Sequence, residues 1–198
     1  AAFAALEGDH QADICIVGAG FTGLSSALHL TELGYKVIVL EAETIGHGAS
    51  GRNGGHVGIG QRRDQYYLEE TFGHDIASAL WFMGLEAVEA VKDLIEKHRI
   101  KCDLKHGDVH FAHKAKYSRE MEEEVGFLYE RYGFDQMEYI PKDRLAEVIG
   151  SDVYHGAVLD TASKHIHPLK FVHGLAEAAV RAGVMIYEQS RVTSYAGS

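Results

Sequence analysis

Apolar residues run together over 12–17 (ADICIV) and stop at Gly18, and the following stretch, 22–33, carries Leu24, Ala27, Leu28 and Leu30 before Gly34. A short unbroken apolar run, then apolar residues spaced by three and four, predicts a strand, a tight turn and a helix closed by glycine. Residues 36–40 (KVIVL) are β-branched and almost wholly apolar, as suits a parallel strand covered on both faces. The first forty-odd residues therefore predict a βαβ unit. Residues 44–60 then hold seven glycines and no apolar period. This predicts a loop whose backbone approaches something closely or takes positive φ.

From Asp75 to His98, Leu85, Val88, Val91, Leu94 and Ile95 alternate with Glu86, Glu89 and Lys92 at helical spacing. The segment predicts an amphipathic helix, with Trp81 and Met83 assigned to its packing. Strands are expected at 107–113 and 135–140, on either side of a helix from Tyr117 to Tyr132 whose Glu120, Glu122, Glu123 and Glu124 form a solvated face. Pro141 and the residues after it suggest a short helix, and 153–159 a further strand. Residues 168–182 predict a helix with Pro168 in its first turn and Gly183 just past its end. Two short strands, 184–187 and 191–195, complete an α/β pattern with a less regular middle.

The composition of this 198-residue chain, 46% hydrophobic and 24% charged, is that of an ordinary globular protein able to bury a sizeable core. A formal net charge of −10 repels a nucleic-acid backbone or an anionic membrane on average, so no nucleic-acid partner is expected. No stretch approaches the ~20 apolar residues of a membrane span, and the residues present, with Glu7 and Asp9 near the start, show no secretory signal. Cys15 and Cys102 suggest neither a disulfide framework nor CxxC chemistry. The expectation is a soluble, cytoplasmic protein.

The chemistry concentrates in GAGFTG, where Gly18, Gly20 and Gly23 stand between the first strand and its helix, with Phe21 and Thr22 among them. In a dinucleotide fingerprint the first glycine permits the turn and the second admits a pyrophosphate to the backbone. The third lets helix and strand pack closely, and the helix N-terminus meets the phosphates. Glu41, 18 residues after Gly23 and followed by Ala42, is placed to accept hydrogen bonds from ribose hydroxyls. NAD and FAD share this fingerprint. The loop GHGASGRNGG at 46–55 lies where NAD-dependent dehydrogenases usually continue into another βα segment, which favours FAD.

With these motifs the chain resembles the D-amino-acid-oxidase-type superfamily of flavoenzymes, and within it the γ-glutamylputrescine oxidase group. The resemblance rests on DICIVGAGFTGLSSALHL, VLEA, GASGRNGGHVGIGQ and HIHPLKFVHGLAEAAVRAGVMIYEQSRV. It implies an α/β fold: a Rossmann-like FAD-binding domain with a parallel sheet, formed by 1–60 and 166–198 and interrupted by an α+β substrate-side region at 61–165. It also implies that the C-terminal part of such a protein, beyond Ser198, is missing here. Carried over as cofactor contacts are Gly18, Gly20, Phe21, Thr22, Gly23, Glu41, Ala42, Ser50, Gly51, Arg52, Asn53, Gly54, Gly55 and, near the adenine, Val192.

His56 is a weak catalytic candidate, with no other group assigned to catalysis. Tyr66, Tyr67, Phe72 and Tyr154 are assigned to packing, and His165 and His167, without a third ligand, to no metal site. The implied reaction is FAD-dependent oxidation of a small-molecule amine or amino acid, γ-glutamylputrescine being favoured. Hydride transfer gives an imine and then an aldehyde and ammonia, with oxygen reduced to hydrogen peroxide. The alternatives are a dehydrogenase of the same fold with another electron acceptor, a non-catalytic nucleotide-binding module, and, more distantly, an NAD-dependent dehydrogenase.

Overall fold

The computed structural model describes residues 3–196. The chain divides into two units, one formed by 1–55, 93–103 and 166–198, the other by 56–92 and 104–165.

In the first unit, β1 (Ile14–Val17), α1 (Phe21–Glu32) and β2 (Val37–Leu40) form the βαβ start, and β7 (Met185–Tyr187) joins the other edge of β2 to complete a parallel sheet in the order β1-β2-β7. Val37, Ile38 and Val39 are buried, as their apolar run requires. Leu24, Ala27 and Leu28, three and four residues apart, bury one face of α1. Helix α5 (Pro168–Arg181) buries Phe171, Val172, Leu175, Ala176, Ala178 and Ala179, and Phe171 packs on Phe21 with ring centroids 5.3 Å apart. Its Gly174 lets the buried Ile100 approach, since a Cβ there would lie 2.2 Å from Ile100 Cγ2.

The second unit is antiparallel. Strand β6 (Gly156–His165) is its centre, with β4 (Lys105–Phe111) along one edge and β3 (His56–Val57) and β5 (Met137–Pro141) sharing the other. Helices α2 (Gln65–Phe72) and α4 (Ala115–Tyr132) belong here, as does α3 (His74–His98) as far as Lys92. Trp81 lies edge-on to Phe134, with centroids 5.1 Å apart and planes at 82°, over Leu128 and Ala162. A second cluster joins Ile140, Leu145 and Ala157. No helix among the described residues is long and apolar enough to cross a membrane.

Several expectations change. The strand predicted at 153–159 begins at Gly156 and continues to His165. In its polar second half Asp160, Ala162, Ser163 and Lys164 are buried while Thr161 and His165 are exposed; Asp160, 2% exposed, accepts hydrogen bonds from the Ala162 and Ser163 backbone N–H groups and the Ser163 hydroxyl, so Ser163 and Asp160 satisfy each other inside. His165 ends this strand and His167 caps α5. Residues 191–195 form no strand.

The glycine-rich segment contains β3, and α2 follows it, capped by the Asp64 side chain accepting from Tyr67 N–H at 2.8 Å. Trp81 is 4% exposed but Met83 59%, because two residues along a helix rotate a side chain by about 200°. Glu124 turns partly inward from the otherwise exposed acidic face, and burial pushes its carboxyl above the usual range.

Candidate functional site

The carboxyl ends of β1, β2 and β7 carry the site, the position where open parallel sheets bind ligands. After Val17 the chain turns through Gly18, at φ +97°, whose N–H donates to Leu40 O at 2.8 Å. A residue with a Cβ rarely takes that conformation. Gly20 then starts α1 with no side chain capping it, so the helix meets the turn with backbone donors and the positive end of its dipole.

Two side chains brace this turn. Glu41 Oε2 accepts from Ala19 N–H at 2.8 Å and its Oε1 from Glu43 N–H at 3.0 Å. Ser50 Oγ accepts from Phe21 N–H at 3.0 Å. The glycines are demanded by contact as well as conformation: a Cβ on Gly20 would stand 2.9 Å from Ser50 Oγ, and one on Gly23 2.0 Å from Gly18 O.

The loop is built on Asn53. Its Nδ2 donates to Ala49 O at 3.0 Å and Ser50 O at 3.1 Å, and its Oδ1 accepts from Gly55 N–H at 2.8 Å. Gly51 lies against Gly46, where a Cβ would be 2.1 Å from Gly46 O, and Gly55, at φ +74°, lies where a Cβ would be 2.0 Å from Ile166 O. Gly54 and Arg52 are exposed. Arg52 lines a cleft of about 460 Å³ with His47, Leu169, His173 and Glu188.

The structure thus brings Gly18, Gly20, Phe21, Gly23, Glu41 and Ser50 into one bonded turn, with Thr22 exposed on α1 and Ala42 directly after the acid. Val192 is half-buried outside any strand. Its neighbour Arg191 pairs with Glu43 at 2.8 Å, and Gln189 N–H donates to Glu43 O, which ties this segment to the one following Glu41.

A residue not singled out in the sequence is Glu188, 4% exposed, which accepts from Ile45 N–H at 2.7 Å and Phe3 N–H at 2.9 Å. It follows β7 as Glu41 follows β2, and Leu40 and Tyr187 are register partners. That repeated strand-then-Glu pattern was the available signal. His56 belongs to the second unit, where its Nδ1 lies 2.7 Å from Asp108 Oδ2.

A positive-φ glycine turn, a helix start whose N-cap residue is a glycine without a side chain, and a carboxylate with lone pairs beyond the two N–H groups it already accepts fit an anionic diphosphate joined to a ribose. The model of the family described as DAO, FAD dependent oxidoreductase, matches residues 13–197. Among curated relatives, gamma-glutamylputrescine oxidoreductase of Escherichia coli is 42% identical over 181 residues, which is 91% of this chain and 42% of the relative. A probable oxidoreductase, OrdL, of Haemophilus influenzae is 42% identical over 184 residues, 92% of this chain and 42% of its own length. The chain therefore spans less than half the length of these relatives. The crystal structure of glycine oxidase from Geobacillus kaustophilus superposes with a TM-score of 0.74 at 20% identity, covering 91% of this chain and 47% of that one, which is a likeness of fold. The family is FAD-dependent, which decides between the two dinucleotides that the glycine fingerprint left open, and this chain belongs to the DAO family of FAD-dependent oxidoreductases.

Proposed function

We propose that the turn at Gly18–Gly23, Glu41 and the loop at Ser50–Gly55 hold FAD, and that the protein oxidises an amine, with γ-glutamylputrescine as substrate. The observation that carries the cofactor assignment is the bonded set in which Glu41 and Ser50 hold the Ala19 and Phe21 N–H groups. It fixes the helix start against the strand end before any ligand arrives, the preorganisation that anion binding rewards. Glu41 keeps lone pairs for ribose hydroxyls, and an acid there disfavours a 2′-phosphate. Asn53 fixes the glycine-rich loop so that its backbone N–H groups can face the flavin, and Arg52 supplies positive charge beside it. In this reading Val192 would meet the adenine, the first unit would be the cofactor domain, and the second the substrate side.

Support for the substrate comes from the 42% identity to gamma-glutamylputrescine oxidoreductase. When bound, FAD supplies the two-electron acceptor: hydride leaves the carbon bearing nitrogen, the imine hydrolyses to aldehyde and ammonia, and oxygen carries the electrons on as hydrogen peroxide.

The test is the visible spectrum of the purified FAD-bound protein, without oxygen, as γ-glutamylputrescine and other amines are added. Bleaching of the flavin band by γ-glutamylputrescine is the expected result. A colourless protein, or a yellow one that no amine bleaches, refutes the assignment. Peroxide release against dye reduction then distinguishes oxygen from another acceptor.

A further inference from the structure

Lysine is almost never fully buried unless its charge is paired, yet Lys164, in β6, is 6% exposed. Its ammonium donates to Ala162 O at 2.9 Å and reaches Glu89 Oε1 only at 3.4 Å. That second distance is long for a charge-assisted bond, which closes to about 2.7–2.9 Å. Glu89 makes its closer contact with Lys92, whose Nζ donates to Oε2 at 2.8 Å. The hydrogen bond from Lys92 and the charge of Lys164 hold the Glu89 carboxyl below its ordinary range, so it is charged at neutral pH. An ammonium carries three donors. Lys164 is thus a buried charge with one good partner and one loose one.

The strand is built to hold the lysine this way. Between the register pairs Asp108–Asp160 and His106–Lys164, β6 has Thr161, Ala162 and Ser163 where β4 has only Gly107, at φ +83°. Asp160 accepts from the Ala162 and Ser163 N–H groups and fixes this irregularity. Bulges of this kind re-aim side chains, and here the Ala162 carbonyl meets the Lys164 ammonium. Lys164 lines a cavity of about 510 Å³ whose lining belongs wholly to the second unit, a size within the range of small-molecule sites. Leu85 and Val88 of α3, with Ile59, give it apolar walls. Lys164 and Lys92 are its cations, and Glu89, with a side chain 54% exposed, is its acid. The exposed His106 and Gln136 add polar groups at its mouth.

We propose that this cavity binds a small aliphatic monocarboxylate, whose carboxylate takes the place of Glu89 at Lys164 while Glu89 stays with Lys92. Two lysines facing one glutamate leave one positive charge over, which a single carboxylate cancels. The exposed Glu89 side chain turns toward water at little cost, because an ion pair at the surface is weak. Lys164 stays where it is, and the incoming carboxylate gives it the close partner that a buried charge needs. The apolar walls take the alkyl chain, which leaves water on binding. The site is independent of the FAD and amine-oxidation readings, since none of its residues is assigned to either.

Calorimetric titration of the full chain with hexanoate tests this, with one saturable site as the expected result. Hexanamide keeps the chain without the charge and acetate the charge without the chain; each should bind at least tenfold more weakly. Lys164→Met, the kind of replacement that buried ion pairs often tolerate, should weaken hexanoate at least tenfold. Glu89→Gln lies at an exposed position and removes the internal competitor, so hexanoate should bind about fivefold more tightly. A glutamate that served only to hold the fold would give no such gain, and this variant decides the matter if Lys164→Met does not fold. The proposal is overturned by the absence of saturable hexanoate binding, or by hexanamide or acetate binding as tightly. It is equally overturned if Glu89→Gln leaves the affinity unchanged or lowers it, or if a folded Lys164→Met binds hexanoate like the parent.

Discussion

Replacing Gly23 by alanine tests the reasoning about the turn most directly. The added Cβ would lie 2.0 Å from Gly18 O, 3.2 Å from Gly18 C and 3.3 Å from Ile16 Cγ2. The first neighbour is backbone, fixed by the Gly18 N–H bond to Leu40 O, so α1 must move away from β1 by about 1 Å to restore ordinary contact. Such overpacking costs about 1–3 kcal/mol and sometimes more. The same shift stretches the bonds of Ala19 N–H to Glu41 and Phe21 N–H to Ser50, each contributing about 1 kcal/mol. The better helix propensity of alanine returns only about 0.5–1 kcal/mol. The expected net loss is about 3 kcal/mol, with FAD affinity falling about a hundredfold as the helix start leaves its place. Urea denaturation of the apo-protein and fluorescence titration with FAD measure the two effects. Gly48→Ala is the control, since nothing lies within 4 Å of its Cβ and its φ is −81°; it should stay within about 0.5 kcal/mol of the parent. If Gly23→Ala also stays within that margin and binds FAD normally, the close-packing account is wrong.

Three other perturbations probe separate parts of the molecule. Gly20→Ala should cost about 1 kcal/mol, and Ser50→Ala should partly relieve it, because the clash is with Ser50 Oγ alone at 2.9 Å while Cβ stands at 3.9 Å; a double-mutant cycle without coupling would contradict this. Trp81→Ala should destabilise by about 3–5 kcal/mol through the void left beside Phe134 and Leu128, read as a lowered denaturation midpoint. Burial raises the Glu69 carboxyl, but hydrogen bonds from Tyr132, His74 and Arg131 prevail and hold it at about 2, from 4.5. Its folded pKa is depressed, so its contribution is complete above pH 4.5 and drains away as pH falls toward 2. Screening leaves on the order of 2 kcal/mol, and Glu69→Gln should flatten the stability curve across that window; an unchanged acid limb would count against the network.

The strand–turn–helix at Gly18–Gly23 was almost completely legible in the sequence, because Gly18, Gly20, Gly23 and Glu41 obey local rules in which strand end, turn and helix start lie within a few residues. The fold class and FAD family were legible for the same reason. What was not legible depends on partners distant in sequence. The extension of β6 through Ser163 and Lys164 requires Asp160, the β4 pairing and Glu89, which lies 3.4 Å from Lys164 Nζ. His56–Val57 is a strand only because His165 and Lys164 are there to pair with it. Asp108 gained a partner 52 residues away across a bulge that no hydropathy pattern announces. The run 191–195 has strand-like residues but no pairing to make it one, which shows how far β propensity depends on context.

The place of β2 between β1 and β7 has a consequence for biosynthesis. β1 is at hand as soon as β2 is made, but some 145 residues separate Leu40 from Met185. At ribosomal rates of about 5–20 residues per second, the second edge of β2 stays bare for on the order of 10–30 s. That edge belongs to the sequence VIVL, an uncharged, apolar strand of the kind that recruits other chains when left open. The described strands of the second unit are all made by His165, before β7 of the first unit. The βαβ unit is therefore made well before the strand that covers the second edge of β2, and its yield of native protein should depend on chaperone supply and growth temperature more than its final packing would suggest.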